Sequence, residues 1–205
     1  MSVVIVDYDV GNLRSVQKAF ERVGASAVVE RDAEKISSAK ALVLPGVGAF
    51  AECMNNLRGF GLLEAVKDFI SSGRPFLGIC VGYQLLFEKS EEFGDSTGLG
   101  VFKGKCVKFK TPASSGHKIP HMGWNQVENK NKSRLLEGIE DGSDFYFVHS
   151  YYPVPEEDIV TSQTEYGEVF ASSVERGNIF ATQFHPEKSQ RVGLKVLKNF
   201  ARITG

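Results

Sequence analysis

Residues 2–89 alternate short apolar runs with stretches whose apolar positions recur at helical spacing, and glycine or proline marks most of the joints. The run SVVIV at 2–6 is almost wholly apolar, as a strand covered on both faces must be. Leu13, Val16, Phe20 and Val23 follow one face of a helix that Gly24 ends. Residues 27–29 and 41–44 read as further strands, the second closed by Pro45-Gly46. Leu62, Leu63, Val66, Phe69 and Ile70 mark a helix that stops at Gly73. Residues 76–79 are the next strand and 81–89 the next helix. This alternation leaves few options: parallel strands need long crossovers, and the crossover helices cover both faces of the sheet.

The second half changes rhythm. GKCVKFK, NQVEN, FYFVHSYY and EVFASSVERGNIFATQFH are short and strand-like, and ERGN at 175–178 is a hairpin signal. A helix over 192–203 closes the chain. The expected fold is α/β: an open, mostly parallel sheet with helices on both faces, plus an antiparallel extension in the second half. No repeat or linker divides residues 1–205, so one domain is expected, a size that buries a good core.

A net charge of −1 argues against a nucleic-acid surface. SVVIVD suits a strand and not a secretory signal, and no apolar run approaches the ~18 residues of a membrane helix. Cys53, Cys80 and Cys106 lie far apart without C-x-x-C spacing. That disfavours a zinc knuckle or redox dithiol, and an odd count suggests reduced thiols and a cytoplasmic location. No His/Cys/carboxylate cluster has metal-ligand spacing, and no cofactor is expected.

Cys80 stands where a strand meets a helix, in RPFLGICVGYQLLF at 74–87. Catalytic groups of open α/β sheets gather at the carboxyl ends of strands. A sharp turn that pushes a nucleophile outward needs small residues two before and two after it, and Gly78 and Gly82 meet that demand. The following helix N-terminus favours a thiolate, and the Val81 N–H is placed to hold an oxyanion. The competing reading is a buried cysteine with glycines that permit close packing. Cys53 and Cys106 lack such surroundings and read as structural.

A thiol nucleophile needs a base and a group that orients it. Of His117, His121, His149 and His185, the last follows an apolar strand run and precedes Glu187 by two residues, with Pro186 between to keep the turn from being helical. The carboxylate can hold one ring nitrogen while the other faces a thiol, although H-P-E is also an ordinary turn. A second glycine turn, LVLPGVGAF at 42–50, has no lysine and no phosphate-loop spacing. Its N–H groups can complete an oxyanion hole; otherwise it is a plain strand-to-loop turn.

Together PGVG at 45–48, GICVGYQLLF at 78–87 and FHPEKS at 184–189 resemble the class I, triad-type glutamine amidotransferases, in order and spacing, over essentially the whole chain. More narrowly, DYDVGNLRS at 7–15, PHMGWN at 120–125 and YFVHSYY at 146–152 are similar to the glutaminase subunits of imidazole glycerol phosphate synthases. The resemblance implies Cys80 as nucleophile, His185 as general acid/base and Glu187 as its orienting carboxylate, with Val47, Gly48 and Val81 around the oxyanion. It implies glutamine as substrate, beside Gly46, Gly48, Gln84 and Glu92, with His149, Ser150 and Tyr151 as a further wall. It implies a (β/α)₈-barrel cyclase subunit as partner, receiving ammonia and met near Asn12, Lys118, Pro120, Trp124 and Lys188.

The chain departs from the family at Asp9, where glycine is usual, and at Val81 and Tyr83, which replace leucine and methionine. Base rates place Trp124 partly in the core and most of Phe145, Tyr146, Phe147, Tyr151 and Tyr152 with it. Lys103, Lys105, Lys108 and Lys110 read as a solvated sheet edge. Three other readings stay open: the glutaminase subunit of another synthase such as pyridoxal phosphate synthase, a stand-alone cysteine hydrolase of γ-glutamyl bonds, and a binding protein with a decayed site.

Overall fold

The computed structural model describes residues 2–110 and 118–205; His117 lies outside them. The elements are β1 (Ser2–Val6), α1 (Leu13–Arg22), β2 (Ser26–Glu30), α2 (Ala33–Ser38), β3 (Leu42–Gly46), α3 (Phe50–Gly59), α4 (Leu63–Ser71), β4 (Phe76–Cys80) and α5 (Val81–Gln84). There follow β5 (Phe87–Ser90), β6 (Ser96–Thr97), β7 (Phe102–Lys108), β8 (His121–Asn129), β9 (Ser143–His149), β10 (Tyr151–Pro155), β11 (Val160–Glu165), β12 (Val169–Arg176), β13 (Ile179–Thr182), a 3₁₀ turn (Pro186–Lys188) and α6 (Gln190–Ile203).

The main sheet runs β2-β1-β3-β4-β13-β12-β11-β8-β9. Its first five strands are parallel and the rest antiparallel. Strands β3 and β4 are buried at every position, which is why their sequences are continuous apolar runs. A second sheet, β10-β7-β5-β6, lies over the antiparallel half. Between the sheets Phe109 meets Tyr152 at 4.8 Å, His149 at 5.1 Å and Phe170 at 5.4 Å. Such aromatic pairs add about 0.5–1.5 kcal/mol each beyond the area they bury, and this cluster fixes the ring of His149.

Two expectations are corrected here. The helix expected over 81–89 is the single turn α5, and Phe87–Ser90 is a strand. Leu85 and Leu86 are wholly buried, and their carbonyls accept from the N–H groups of Leu99, Val101 and Phe102 at 2.8–2.9 Å in place of a next helical turn. The lysine-bearing β7 is not an edge: it pairs with β10 on one side and β5 on the other. Lys103 and Lys105 reach solvent because one face of the small sheet is open, Lys108 because it ends the strand, and Lys105 meets Glu91 at 2.7 Å.

Candidate active site

Sheet order alone assembles the site. Cys80 ends β4; β3, which leads into the turn at 45–48, is one neighbour, and β13, which leads into His185, is the other. At Cys80 the backbone takes φ +55° and ψ −111°. A non-glycine residue in such a region costs about 1–3 kcal/mol and persists only where its surroundings hold it. They do. A Cβ on Gly82 would lie 1.8 Å from the Leu44 carbonyl oxygen, and one on Gly78 2.7 Å from the Gly82 carbonyl oxygen. Gly46, paired with Cys80 across the strands, has no room either: its Cβ would meet Tyr8 Oη and Val81 Cβ at 2.8 Å. The first turn of α5 supplies free N–H groups; one turn is too short for the summed dipole expected from a longer helix.

On the β13 side, His185 Nδ1 lies 2.8 Å from Glu187 Oε1, with both side chains almost wholly buried. The carboxylate accepts, so Nδ1 carries the proton and Nε2 is left, buried and without a hydrogen-bond partner, in the cavity shared with Cys80. Burial alone would depress the imidazole. The Cys80 sulfur and then Glu187 outweigh it and raise His185 from 6.5 to about 10. The turn is tied down by Ser189 Oγ to the His185 carbonyl at 2.7 Å and by His185 N–H to the Tyr146 carbonyl at 2.9 Å.

The cavity has a volume of about 220 Å³, a size for a small ligand. Its lining brings together Cys80, His185, Val47, Gly48 and Val81 with Gln84, Glu92, His149, Ser150 and Tyr151. Gly46 lies behind them in β3 and does not line it. The Glu92 carboxylate accepts from Phe50 N–H at 2.7 Å, anchoring the start of α3. The Cys53 thiol, which burial pushes up to about 12, donates to the Val47 carbonyl at 3.6 Å. Because the peptide between Val47 and Gly48 is trans, the Gly48 N–H points away from Cys53.

His149 lines the cavity, but both ring nitrogens are engaged: Nδ1 with the Tyr151 carbonyl at 3.0 Å and Nε2 with His121 Nδ1 at 3.0 Å. Burial first, and His121 next, press its pKa down to about 3, so it is neutral. Among the described residues no group of three or more His, Cys, Asp or Glu side chains could hold a metal ion.

Of the residues expected at a partner, Lys118, Pro120 and Trp124 are exposed, and Pro120 also borders the cavity. Trp124 is 47% exposed, against the core placement base rates suggest. It meets Tyr146 edge-on at 6.0 Å, and Lys188 Nζ stands 5.5 Å over the same ring, so the three form one continuous patch. Asn12 precedes α1, which packs against the 3₁₀ turn. Asp9 sits at φ +69°, the conformation that explains the family's glycine; Arg31 contacts its carboxylate at 3.3 Å. Tyr83 is wholly buried, reaches the Ala171 carbonyl at 3.5 Å and packs on Phe87. Sequence reasoning passed over Gln183, whose Nε2 lies 3.7 Å from the Cys80 sulfur. One signal was available: in extended chain Gln183 shares a face with His185, two residues on.

Residues 4–203 match the family described as glutamine amidotransferase class-I. The chain belongs to the class I glutamine amidotransferases. Within these amidotransferases it is 51% identical, over 97% of this chain and 98% of the relative, to the imidazole glycerol phosphate synthase subunit HisH of Syntrophotalea carbinolica. It is 52% identical to the HisH subunit of Aquifex aeolicus, over 98% and 97%. Solved structures share the fold: one described as a glutamine amidotransferase at TM-score 0.72 and 22% identity, covering 98% of both chains, and PurLQS of Thermotoga maritima at 0.70 and 18%, covering 99% and 96%.

Proposed function

We propose that this chain is the glutaminase subunit of an imidazole glycerol phosphate synthase, acting as one domain over residues 1–205. It releases ammonia from glutamine and passes it to a (β/α)₈-barrel cyclase subunit in histidine biosynthesis. The observation that carries the chemistry is Cys80 at positive φ beside a buried His185–Glu187 pair; near-full-length identity to HisH subunits carries the pathway.

The Cys80 thiolate attacks the side-chain amide carbon of glutamine. The Val81 N–H and one from the turn at 45–48 hold the oxyanion. The His185 imidazolium protonates the leaving nitrogen, ammonia departs and a glutamyl thioester remains. His185 then takes a proton from water, whose oxygen attacks the thioester; glutamate leaves and the thiolate returns. Glu187 holds the tautomer that this requires. The partner meets the patch of Trp124, Tyr146 and Lys188, with Lys118, Pro120 and Asn12 at its margins. Partner and nucleotide binding set the turn at 45–48, so the isolated chain turns over slowly. Three unpaired thiols fit a cytoplasmic location, and no helix among the described residues is long and apolar enough to cross a membrane.

The test is glutamate release by the purified chain, alone and with the barrel subunit and its nucleotide. Strong activation that Cys80→Ala abolishes is expected. Equal turnover with and without partner would instead indicate a stand-alone hydrolase.

A further inference from the structure

Gln183 is wholly buried, and its side-chain amide makes two contacts beside the backbone bond. Its backbone N–H donates to the Ser172 carbonyl at 2.8 Å. Its Oε1 accepts from Gln84 Nε2 at 3.2 Å, and its Nε2 lies 3.7 Å from the Cys80 sulfur. Side-chain amides can be turned end for end, so the sense of this chain must be argued. The Tyr151 carbonyl settles it. A carbonyl only accepts, and Gln84 Nε2 lies 2.9 Å from it; the Gln84 NH₂ must therefore face Tyr151. That NH₂ spends its second hydrogen on Gln183, which must answer with oxygen. The Gln183 NH₂ is then directed at the sulfur.

We propose that Gln183 is a catalytic residue: its Nε2–H donates to the Cys80 sulfur and holds the thiolate opposite the His185 imidazolium. This rests on the reading of Cys80 as the nucleophile. Without the sulfur, one amide hydrogen would be buried with no acceptor, which is costly. The other neighbour of the sulfur, the Val148 carbonyl at 3.8 Å, accepts a thiol proton and offers a thiolate nothing. Gln183 thus favours the charged form, and the same N–H steadies the sulfur when it leaves the thioester.

The experiment uses the complex with the barrel subunit and compares wild type with Gln183→Met and Gln183→Glu. Peptide-resolved mass spectrometry follows alkylation of Cys80 by iodoacetamide across pH. Expected is a Cys80 reactivity profile displaced to higher pH in Gln183→Met and further in Gln183→Glu, whose carboxylate repels the thiolate. With it kcat should fall about tenfold while KM moves less than about twofold, in line with a hydrogen bond to a charged group. A merely structural role would lower the melting temperature without that order of pH profiles. If Gln183→Met fails to fold, the isosteric Gln183→Glu carries the comparison. Variants with the wild-type profile, beside an inactive Cys80→Ala, would overturn the proposal alone. Wild-type Cys80 labelled no faster than Cys53 and Cys106, with Cys80→Ala still active, would overturn the nucleophile reading and this proposal with it.

Discussion

His185 and the turn at 45–48 stand on either side of Cys80, each at the end of a strand paired with β4, yet they are held in different ways. The His185 side is buried and bonded at its backbone, its ring and its carboxylate partner. On the other side Pro45 and Gly46 are still strand, with the Pro45 carbonyl held by the Tyr8 hydroxyl at 2.5 Å, but Val47 at 37% exposure and Gly48 in a left-handed conformation are fastened only by one thiol contact and, beyond them, by Glu92 at the start of α3. Proton transfer tolerates little displacement of its groups. Under the proposed mechanism the oxyanion hole can be completed late, which makes residues 47–48 the place where activation by a partner would have most leverage.

The contrast breaks most completely at Gly82, the wedge between β3 and the elbow. Gly82→Ala forces its Cβ onto the Leu44 carbonyl. It should lower stability by more than about 3 kcal/mol and abolish glutaminase activity, read by thermal unfolding and turnover.

Glu187→Gln attacks the rigid wall. We expect kcat to fall on the order of 10²-fold and the alkaline limb of the pH–rate profile to move down, because a carboxylate that raises His185 is gone. The sign for stability follows from a raised pKa. The contribution is complete below pH 6.5 and is lost as pH rises to about 10. Urea midpoints of wild type and variant should differ most at the acid end of that window and converge at its alkaline end.

On the loose wall, Gly48→Ala strains a residue at φ +90° whose new Cβ meets only the flexible Glu52 carboxylate, at 3.4 Å. About a tenfold loss of partner-activated kcat is expected, with a stability cost near 1 kcal/mol. A variant as active as wild type would show that this turn takes no part in activation. Smallest is Asp9→Gly, which relieves left-handed strain and loses an exposed ion pair. These nearly cancel, so the unfolding free energy should change by less than about 1 kcal/mol.

The strands that carry the site were legible because burial on both faces writes itself as continuous apolar sequence, and Gly78, Cys80 and Gly82 encode their own turn. What the sequence concealed was lateral. The pair Lys103 and Lys105 reports which face of β7 meets water and says nothing of neighbours in the plane, so a central strand reads as an edge. Leu85, Leu86 and Phe87 have the apolarity of a continuing helix, and only pairing with residues 99–102 makes them otherwise. Helix α2 was missed although Asp32 caps it, accepting from the N–H groups of Glu34 and Lys35. The contact of Gln183 with Cys80 spans 103 residues, beyond any local pattern.

The placement of β4 between two parallel partners bears on durability. Its amides are released to solvent only when the middle of the sheet comes apart, whereas residues 47–48, beyond the end of β3, can open by themselves. In hydrogen-exchange terms Cys80, the proposed nucleophile, ends a strand of the slowest class, and residues 47–48, the proposed oxyanion turn, belong to a fast one. Proteolytic nicking should therefore reach residues 47–48 long before it reaches β4, and a nicked molecule would lose its responsiveness while keeping its thiol in place.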